Sequence, residues 1–422
     1  MAHINHIRTI DHQSRMSLQD TLYQGYYSFG VFCGSNYRRE QIALNTISNF
    51  CGNMGIVLLH NSPQFEFLLG NIYSIRPSLS GTKDFNMLLA NRVNETGNID
   101  TYYDPLYGLT ETEILDVIVP VSSDARFVSE FQFLRSVITD YLSIIRQLYK
   151  SQPTTFGDYA FNLDILLELT KMPYSVLKEQ ILNHFPEDIV FDISSRLSAD
   201  KAQQSAYRAV LTFSQSMESA TLWKKHNFKE HTRLSIISAI KNKQLISLYI
   251  PETRNDVMDY LYAELQHLNK LQTPYLLVES GLNLSSNIKL KHLFLSEHNT
   301  LPYYTGIIAE DTSSIISAEN SEYELASLFA QTQEMYILAC SSALAAKPFS
   351  DGIGNYFRRV TERHSELHRQ PFHIFGSHGH GDVQHEINQR IIDPEELVNL
   401  SNGCLLYGKN HPIPILVDNF IL

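Results

Sequence analysis

Tyr26-Tyr27-Ser28-Phe29-Gly30-Val31 and, after two residues, Gly34-Ser35-Asn36-Tyr37-Arg38-Arg39-Glu40-Gln41 are the stretch that decides the fold. The first run reads as a short apolar strand and the second as a glycine turn. Apolar spacing from Gln41 to Phe50 then reads as a helix. Strand, loop, helix is the order in which a phosphate-cradling loop sits, and a working loop carries G-x-x-x-x-G-K-[ST]. Here Arg39 stands at the second glycine, Glu40 at the lysine and Gln41 at the hydroxyl residue. A carboxylate at that point repels polyphosphate where lysine attracts it. The frame of a nucleotide site is present and its chemistry is missing.

Working outward, Gly55-Ile56-Val57-Leu58-Leu59-His60 is a second apolar strand, with a turn at Asn61-Ser62-Pro63. Continuous apolar runs of this kind suit strands buried on both faces of a parallel sheet. Strand, helix, strand in this rhythm implies right-handed crossovers. From about residue 126 the character changes. Phe131, Leu134, Ile138, Tyr141, Leu142, Ile145 and Leu148 share one helical face. Helices follow over Asp164 to Met172, Tyr174 to Phe185 and Ala199 to Leu222, with almost no strand signal. From about residue 236 the α/β rhythm returns. Strands are expected at Gln244 to Ile250, Tyr275 to Val278, Tyr304 to Ala309, Met335 to Cys340 and Gly403 to Tyr407, and a helix at Val257 to Leu271. The organisation is therefore a sheet domain in two parts, 1–125 and 236–422, interrupted by an all-helical domain at 126–235.

Length and composition set the outer bounds. A chain of 422 residues can hold two or three domains. Its formal charge of −12 argues against a surface dominated by phosphate contacts. Short basic pairs at Lys224-Lys225, Lys241 with Lys243, and Arg358-Arg359 make no stripe of the kind that grips nucleic acid. Four cysteines, Cys33, Cys51, Cys340 and Cys404, lie far apart without C-x-x-C spacing and read as reduced thiols. No apolar run reaches eighteen residues, and Met1 to Arg15 is polar, so neither a membrane helix nor a secretory signal is expected. The expected location is the cytoplasm, with attachment to the inner face of a membrane only through partners.

These pieces, in this order, resemble the motor domain of type IV coupling proteins, the TraD/TraG-like branch of the FtsK/HerA group of RecA-like P-loop ATPases. The resemblance runs from about Tyr26 to the C-terminus and lacks the family's N-terminal membrane segment. His60-Asn61-Ser62-Pro63-Gln64-Phe65 matches an acidic, lysine-containing turn of the family without its charges. Asp104-Pro105-Leu106 is similar to an N-P-L segment before the helical domain. Leu276-Leu277-Val278-Glu279-Ser280 matches the strand that ends in Asp-Glu, so Glu279 stands where the carboxylate facing magnesium would be, and Ser280 where the catalytic base would be. Serine cannot take a proton from water at neutral pH as a carboxylate can. Glu310, in Ile308-Ala309-Glu310-Asp311-Thr312, stands at the family's nucleotide-sensing glutamine. Arg390-Ile391-Ile392-Asp393-Pro394-Glu395-Glu396-Leu397, then Leu400, Cys404-Leu405-Leu406 and His411-Pro412-Ile413-Pro414, resemble the closing segment.

The resemblance implies an α/β fold, a RecA-like P-loop NTPase-type sheet flanked by helices, with an inserted all-α domain. Departures at Glu40, Gln41 and Ser280 speak against hydrolysis, because phosphoryl transfer depends on charge neutralisation by lysine and Mg²⁺. An unneutralised carboxylate 4 Å from triphosphate costs on the order of 1–4 kcal/mol under surface-like screening. The expectation is a catalytically inactive component of a conjugation or type IV secretion system, a scaffold or adaptor for proteins that include an active ATPase of the same fold. Its partner surfaces would be the helical domain and Thr273 to Glu366. No cofactor, ATP and Mg included, no tight DNA ligand and no membrane insertion are expected.

Blander alternatives stand beside each site. Gly34 to Gln41 is an ordinary strand-to-helix turn, or an anion site using Arg38 or Arg39. Glu279 is a polar strand end, or a metal ligand in an NTPase with a non-standard pocket that drives DNA or protein transfer. Glu310 and Asp311 cap or solvate a loop. His364, His368, His373, His378, His380 and His385 crowd one span. His364 and His368 have i, i+4 spacing, and His378 and His380 share a glycine-rich stretch, so these four are the metal-ligand candidates. Without an H-E-x-x-H motif or a cysteine partner they read as a solvated loop. Trp223 is a core residue or an interface anchor.

Overall fold

Apolar strands buried on both faces must find helices above and below them, and a central parallel sheet satisfies that need. The computed structural model describes residues 26–77, 87–89, 101–119, 128–151, 161–220, 222–223, 232–250, 255–270, 272–295, 303–317, 319, 321–368, 377–400 and 403–417. Met1 to Arg15, Lys224 and Lys225 lie outside them. The chain opens with β1 (Phe29–Phe32), α1 (Asn36–Ser48), β2 (Gly55–His60), α2 (Pro63–Leu69), α3 (Ile72–Ile75), β3 (Met87–Leu89) and β4 (Thr101–Tyr103). A run of helices follows: α4 (Glu111–Ile118), α5 (Val128–Ser151), α6 (Leu163–Lys171), α7 (Tyr174–Gln180), α8 (Glu187–Leu197) and α9 (Asp200–Ser219). Alternation then resumes with β5 (Thr232–Leu234), α10 (Ile236–Lys241), β6 (Leu245–Tyr249), α11 (Asn255–Lys270), β7 (Tyr275–Ser280), α12 (Ile288–Leu295), β8 (Tyr303–Ala309), α13 (Ser321–Gln331), β9 (Glu334–Ile337) and α14 (Ala343–Ile353). The chain closes with β10 (Asn355–His368), β11 (Ser377–Arg390), α15 (Pro394–Val398), β12 (Cys404–Tyr407) and β13 (Ile415–Val417).

Nine strands form one sheet in the order β13-β12-β9-β1-β8-β7-β2-β6-β3. From β9 to β3 all neighbours run parallel, while β12 and β13 are antiparallel at one edge. β1 leads away to β2, three places along, and β7 and β8 fill the gap between them. β9 then crosses to the far side of β1. This is the RecA-like sheet that the sequence predicts, and the reversal at β1 opens a crevice at the carboxyl ends of the strands, where ligands of such sheets bind. Every residue of β1, β2 and β7 is buried.

The helical insertion leaves and rejoins the sheet domain through one short ribbon. β4 and β5 pair in parallel, Tyr103 beside Leu234, so its entry and exit are adjacent. α5, α6, α8 and α9 pack on one another, and α4 and α9 rest on α11 of the sheet domain. Asp104 sits at the joint, buried. Its carboxylate accepts from the Leu106 amide at 3.1 Å and from Asn162 Nδ2 at 2.7 Å, while Asn162 Oδ1 caps α6 by accepting from the Ile165 amide at 3.0 Å. Asp104-Pro105-Leu106 thus ties the end of β4 to the start of α6. Trp223, after α9, is buried at 3 % exposure and belongs to the core. Among the described residues no helix is long and apolar enough to cross a membrane.

Two expectations change. The helix after β1 begins at Asn36, five residues before Gln41, with Ser35 at its N-cap in extended conformation. With arginine in place of the second glycine, nothing in Asn36 to Glu40 interrupts helical geometry. The histidine-rich span is a strand pair instead of a helix and a loop. β10 and β11 form an antiparallel ribbon in continuous register from Asn355 with Arg390 to His368 with Ser377. His364 and His368 lie in β10, about 13 Å apart at strand rise, and His378 and His380 lie in β11. His373 falls outside the described residues.

Replacing Asn162 with alanine removes a helix cap and one partner of a buried carboxylate. Each loss is worth about 1–2 kcal/mol. Urea unfolding of Asn162→Ala should therefore show a loss of about 2–3 kcal/mol, with early loosening of the helical insertion in amide exchange; an unchanged midpoint would contradict the role given to this joint.

Candidate functional site

The crevice at β1 is built by the segments that leave β1, β8 and β9. Cys33 and Gly34 both take left-handed backbone angles, φ 65° and 67°. Only glycine fits at the second, since a Cβ there would lie 2.9 Å from Leu338 Cβ. The turn is pinned on both sides. Cys33 N–H donates to the Ala309 carbonyl at 3.2 Å, and Gly34 N–H to the Ala339 carbonyl at 3.0 Å. Gly34 through Arg38 are exposed, and α1 starts immediately, its first intrahelical bond running from Arg39 N–H to the Ser35 carbonyl at 3.1 Å.

Arg39 turns back into this short loop. Its guanidinium donates to the Cys33 carbonyl at 3.2 Å, to the Gly34 carbonyl at 2.5 Å and to Asn36 Oδ1. The residue is buried at 5 % exposure. Burial lowers its pKa, and the opposite charge of Glu310 is the largest influence working against that. A phosphate-cradling loop needs several successive backbone amides turned inward around an anion. Here the loop offers carbonyls, and a cation of the chain's own already holds them.

Glu40 and Gln41 follow on α1. Glu40 is buried at 1 % exposure and does not face the mouth of the loop. Its neighbours are His60, the last residue of β2, and Ser62 just after it, and its pKa is raised by burial, with Ser62, then His60 and Arg39 working the other way. The repulsion that the sequence suggests is therefore displaced, because the carboxylate is buried beside Ser62 and His60. His60 is itself fully buried. Its Nδ1 lies 2.8 Å from the Ser62 carbonyl and its Nε2 2.8 Å from Ser247 Oγ. Gln41 is half-buried, and Arg38 is exposed at the first turn of α1.

Glu279 and Ser280 end β7, and both are buried. Glu279 Oε2 accepts from the Leu282 amide at 3.2 Å, while Oε1 has no hydrogen-bond partner. Burial pushes its pKa up to about 8, so it is protonated at neutral pH. The turn Ser280-Gly281 follows it. Gly281 has φ 72°, and Asn61 packs where a Cβ would project and donates from Nδ2 to the Gly281 carbonyl at 2.5 Å. Glu310 is exposed after β8. Asp311 beside it accepts from the Ser313 amide at 2.8 Å and from the Ser313 hydroxyl at 2.5 Å, the geometry of a turn cap.

The structure thus brings Gly34, Arg39 and Glu310 together at the mouth of the crevice. Glu40, on α1, lies buried beside the end of β2, and Glu279 and Ser280 are buried at the end of β7. Among the described residues no group of three His, Cys, Asp or Glu side chains could hold a metal. Sequence reasoning missed the thiol pair of Cys33 and Cys340, whose sulfurs lie 2.9 Å apart. Their separation of 307 positions hides them, although Cys33 follows one expected strand and Cys340 ends another.

No known protein family matches the chain, and no curated protein matches it significantly. Solved structures similar to it include a bacterial conjugative coupling protein, TrwBdeltaN70, in a trigonal form in complex with sulphate. That likeness covers 99 % of this chain and 91 % of the other at 11 % identity, with a TM-score of 0.48. An unbound monoclinic form of the same protein matches over 86 % and 84 % at 13 % identity, TM-score 0.40. VirB4 of Thermoanaerobacter pseudethanolicus matches over 96 % and 93 % at 9 % identity, TM-score 0.44. The strand order of the chain itself remains the ground on which its fold is assigned.

Two substitutions probe the site. Arg39→Ala leaves two carbonyls without a charged donor, and should destabilise by about 2–3 kcal/mol in urea unfolding; no change would mean the guanidinium braces nothing. Glu279 has a folded pKa above its unfolded value, so its contribution is fully present below about pH 4.5 and is lost as pH rises toward 8. At about 1.4 kcal/mol per unit this is at most about 5 kcal/mol. Glu264, also buried and with its pKa raised by burial to about 7, acts in the same sense. Unfolding free energies at pH 5 and pH 8.5 should therefore differ less in Glu279→Gln than in the unaltered protein, and an equal difference would count against a buried, protonated Glu279.

Proposed function

We propose that this chain is a coupling-protein-like component of a conjugation or type IV secretion system that does not hydrolyse nucleotide and acts as a scaffold or adaptor for other proteins of the apparatus. One observation carries the non-hydrolytic part. The loop after β1 is collapsed onto Arg39, whose guanidinium takes the carbonyls of Cys33 and Gly34. Charge neutralisation of a triphosphate needs a lysine and a magnesium-holding carboxylate. Glu40 and a covered, protonated Glu279 offer neither. The assignment to a secretion or conjugation apparatus rests on the sequence resemblance from Tyr26 to the closing segment, and on an all-helical insertion that a chain with a RecA-like sheet enters and leaves through the separate β4–β5 ribbon. Function belongs to the site and not to the fold, so motor activity is not carried over with the architecture. What remains useful without fuel is surface. A subunit of this shape completes interfaces with an active ATPase of the same fold, and cytoplasmic placement at the inner face of a membrane follows from such partners.

Calorimetry with Mg-ATP at millimolar concentration should give no saturable heat, and phosphate release should equal that of buffer. Tagged protein purified from a host carrying such an apparatus should bring its secretion ATPase or relaxosome protein with it. Turnover that disappears in Glu279→Gln would replace this reading with that of an NTPase using a non-standard pocket.

A further inference from the structure

Cys33 ends the run from β1 into the crevice, and Cys340 ends the matching run from β9, the next strand in the sheet. Backbone hydrogen bonds hold the two runs side by side. Leu338 N–H donates to the Phe32 carbonyl at 2.8 Å, Gly34 N–H to the Ala339 carbonyl at 3.0 Å, and Cys340 N–H to the Leu397 carbonyl of α15 at 3.0 Å. Within this frame the two sulfurs lie 2.9 Å apart, and both cysteines are free thiols. A disulfide bond is about 2.05 Å long, so closing it needs less than an ångström of further approach. Cys51 and Cys404 are differently placed. Cys51, just after α1, donates to the Ile47 carbonyl of that helix at 3.5 Å, and Cys404 is buried in β12.

We propose that Cys33 and Cys340 form a redox modification site, at which a hydroperoxide-class oxidant closes a disulfide that ties the loop after β1 to the segment after β9. This inference is independent of the proposed function. The chemistry balances with the oxidant as the only co-reactant. One thiolate attacks a peroxide oxygen, the O–O bond breaks, and a sulfenic acid and one water (or alcohol) are produced. The second thiol then displaces the sulfenic oxygen as water and the S–S bond forms. The two sulfurs together give up two electrons, and the peroxide accepts them.

Access comes from the loop. Cys33 and Cys340 are buried, at 1 % and 4 % exposure, but their chain neighbours Gly34 and Ser341 are exposed. The hydrogen bond with Cys340, together with burial, holds the Cys33 thiol well above the ordinary thiol range. The thiolate is the reacting species, so oxidation waits on opening of Gly34 to Arg38. Once closed, the bridge fixes the left-handed turn at Cys33 and Gly34 to β9, and through Leu397 to α15. Reduction restores the two thiols.

The test uses the whole chain. Purified protein is treated with hydrogen peroxide, denatured, alkylated with iodoacetamide and weighed intact. The chain has four cysteines, so the reduced protein takes four labels and the oxidised protein should take two, a twofold drop. Peptide mapping should join the Cys33 and Cys340 peptides, and dithiothreitol should restore all four labels. Cys33→Ser and Cys340→Ser should each abolish the link, while Cys51→Ser and Cys404→Ser keep it. Should these variants fail to fold, the peptide map of the unaltered protein decides alone. Amide exchange at Gly34 to Asn36 should slow in the oxidised form. Four labels after oxidation, a link between other cysteines, a product that stops at sulfinic acid, or a loop whose exchange is unaltered by the bridge would each overturn the proposal.

Discussion

The contact between the Arg39 guanidinium and the carbonyls of Cys33 and Gly34 decides what the centre of this molecule can do. A parallel sheet that reverses its strand order at β1 delivers a crevice at its carboxyl edge, and in such a crevice the first loop sets the ligand. Two consecutive left-handed residues turn the chain out of β1. Ser35 then starts the helix at once, and the arginine one turn later folds back over the turn. Each step is local, and together they set the Arg39 guanidinium on the carbonyls of the turn. The same cation lies within reach of Glu310 and Asp311, so the charges at the mouth of the crevice are arranged for one another.

Carboxylates elsewhere in the sheet domain follow a related pattern. Glu40, Glu279 and Glu264 are each buried, and burial raises the pKa of each. Glu264 is held by the hydroxyls of Tyr103 and Tyr260 and by the Ile236 amide at 2.9 Å, where the helical insertion meets the sheet domain. Burial works against the charge of such an acid, and neighbouring donors hold it in place. Positions that would face a nucleotide in a motor are here part of the packing.

Much of the architecture was legible because it depends on local periodicity. Gly55 to His60 is apolar throughout and emerges as β2 with those limits, and Tyr275 to Val278 reads as a strand because both of its faces are covered. The helical face from Phe131 to Leu148 emerges within α5. The start of α1 was harder to read, since the comparison with G-x-x-x-x-G-K-[ST] drew Asn36 to Glu40 into a loop. Ser35 carried the missed signal, as a residue favoured at helix N-caps with no glycine behind it to stop the turn. The ribbon of β10 and β11 was illegible for another reason: its residues are mostly polar, charged, histidine or glycine, and alternate too weakly to announce a strand. Positions of the site residues along the chain could be read, but their directions could not. Whether Glu40 faces the loop or the end of β2 depends on His60 and Ser62, and whether Glu279 is covered depends on Asn61 and Gly281. Those contacts exist only once the sheet has formed.

The central claim is that the loop after β1 is closed upon Arg39 and takes no phosphate. Amide hydrogen exchange over Gly34 to Arg38, followed with and without millimolar Mg-ATP, addresses it at the atoms concerned. The account predicts identical exchange curves in the two conditions. Protection of those amides that grows with nucleotide concentration and saturates would contradict it.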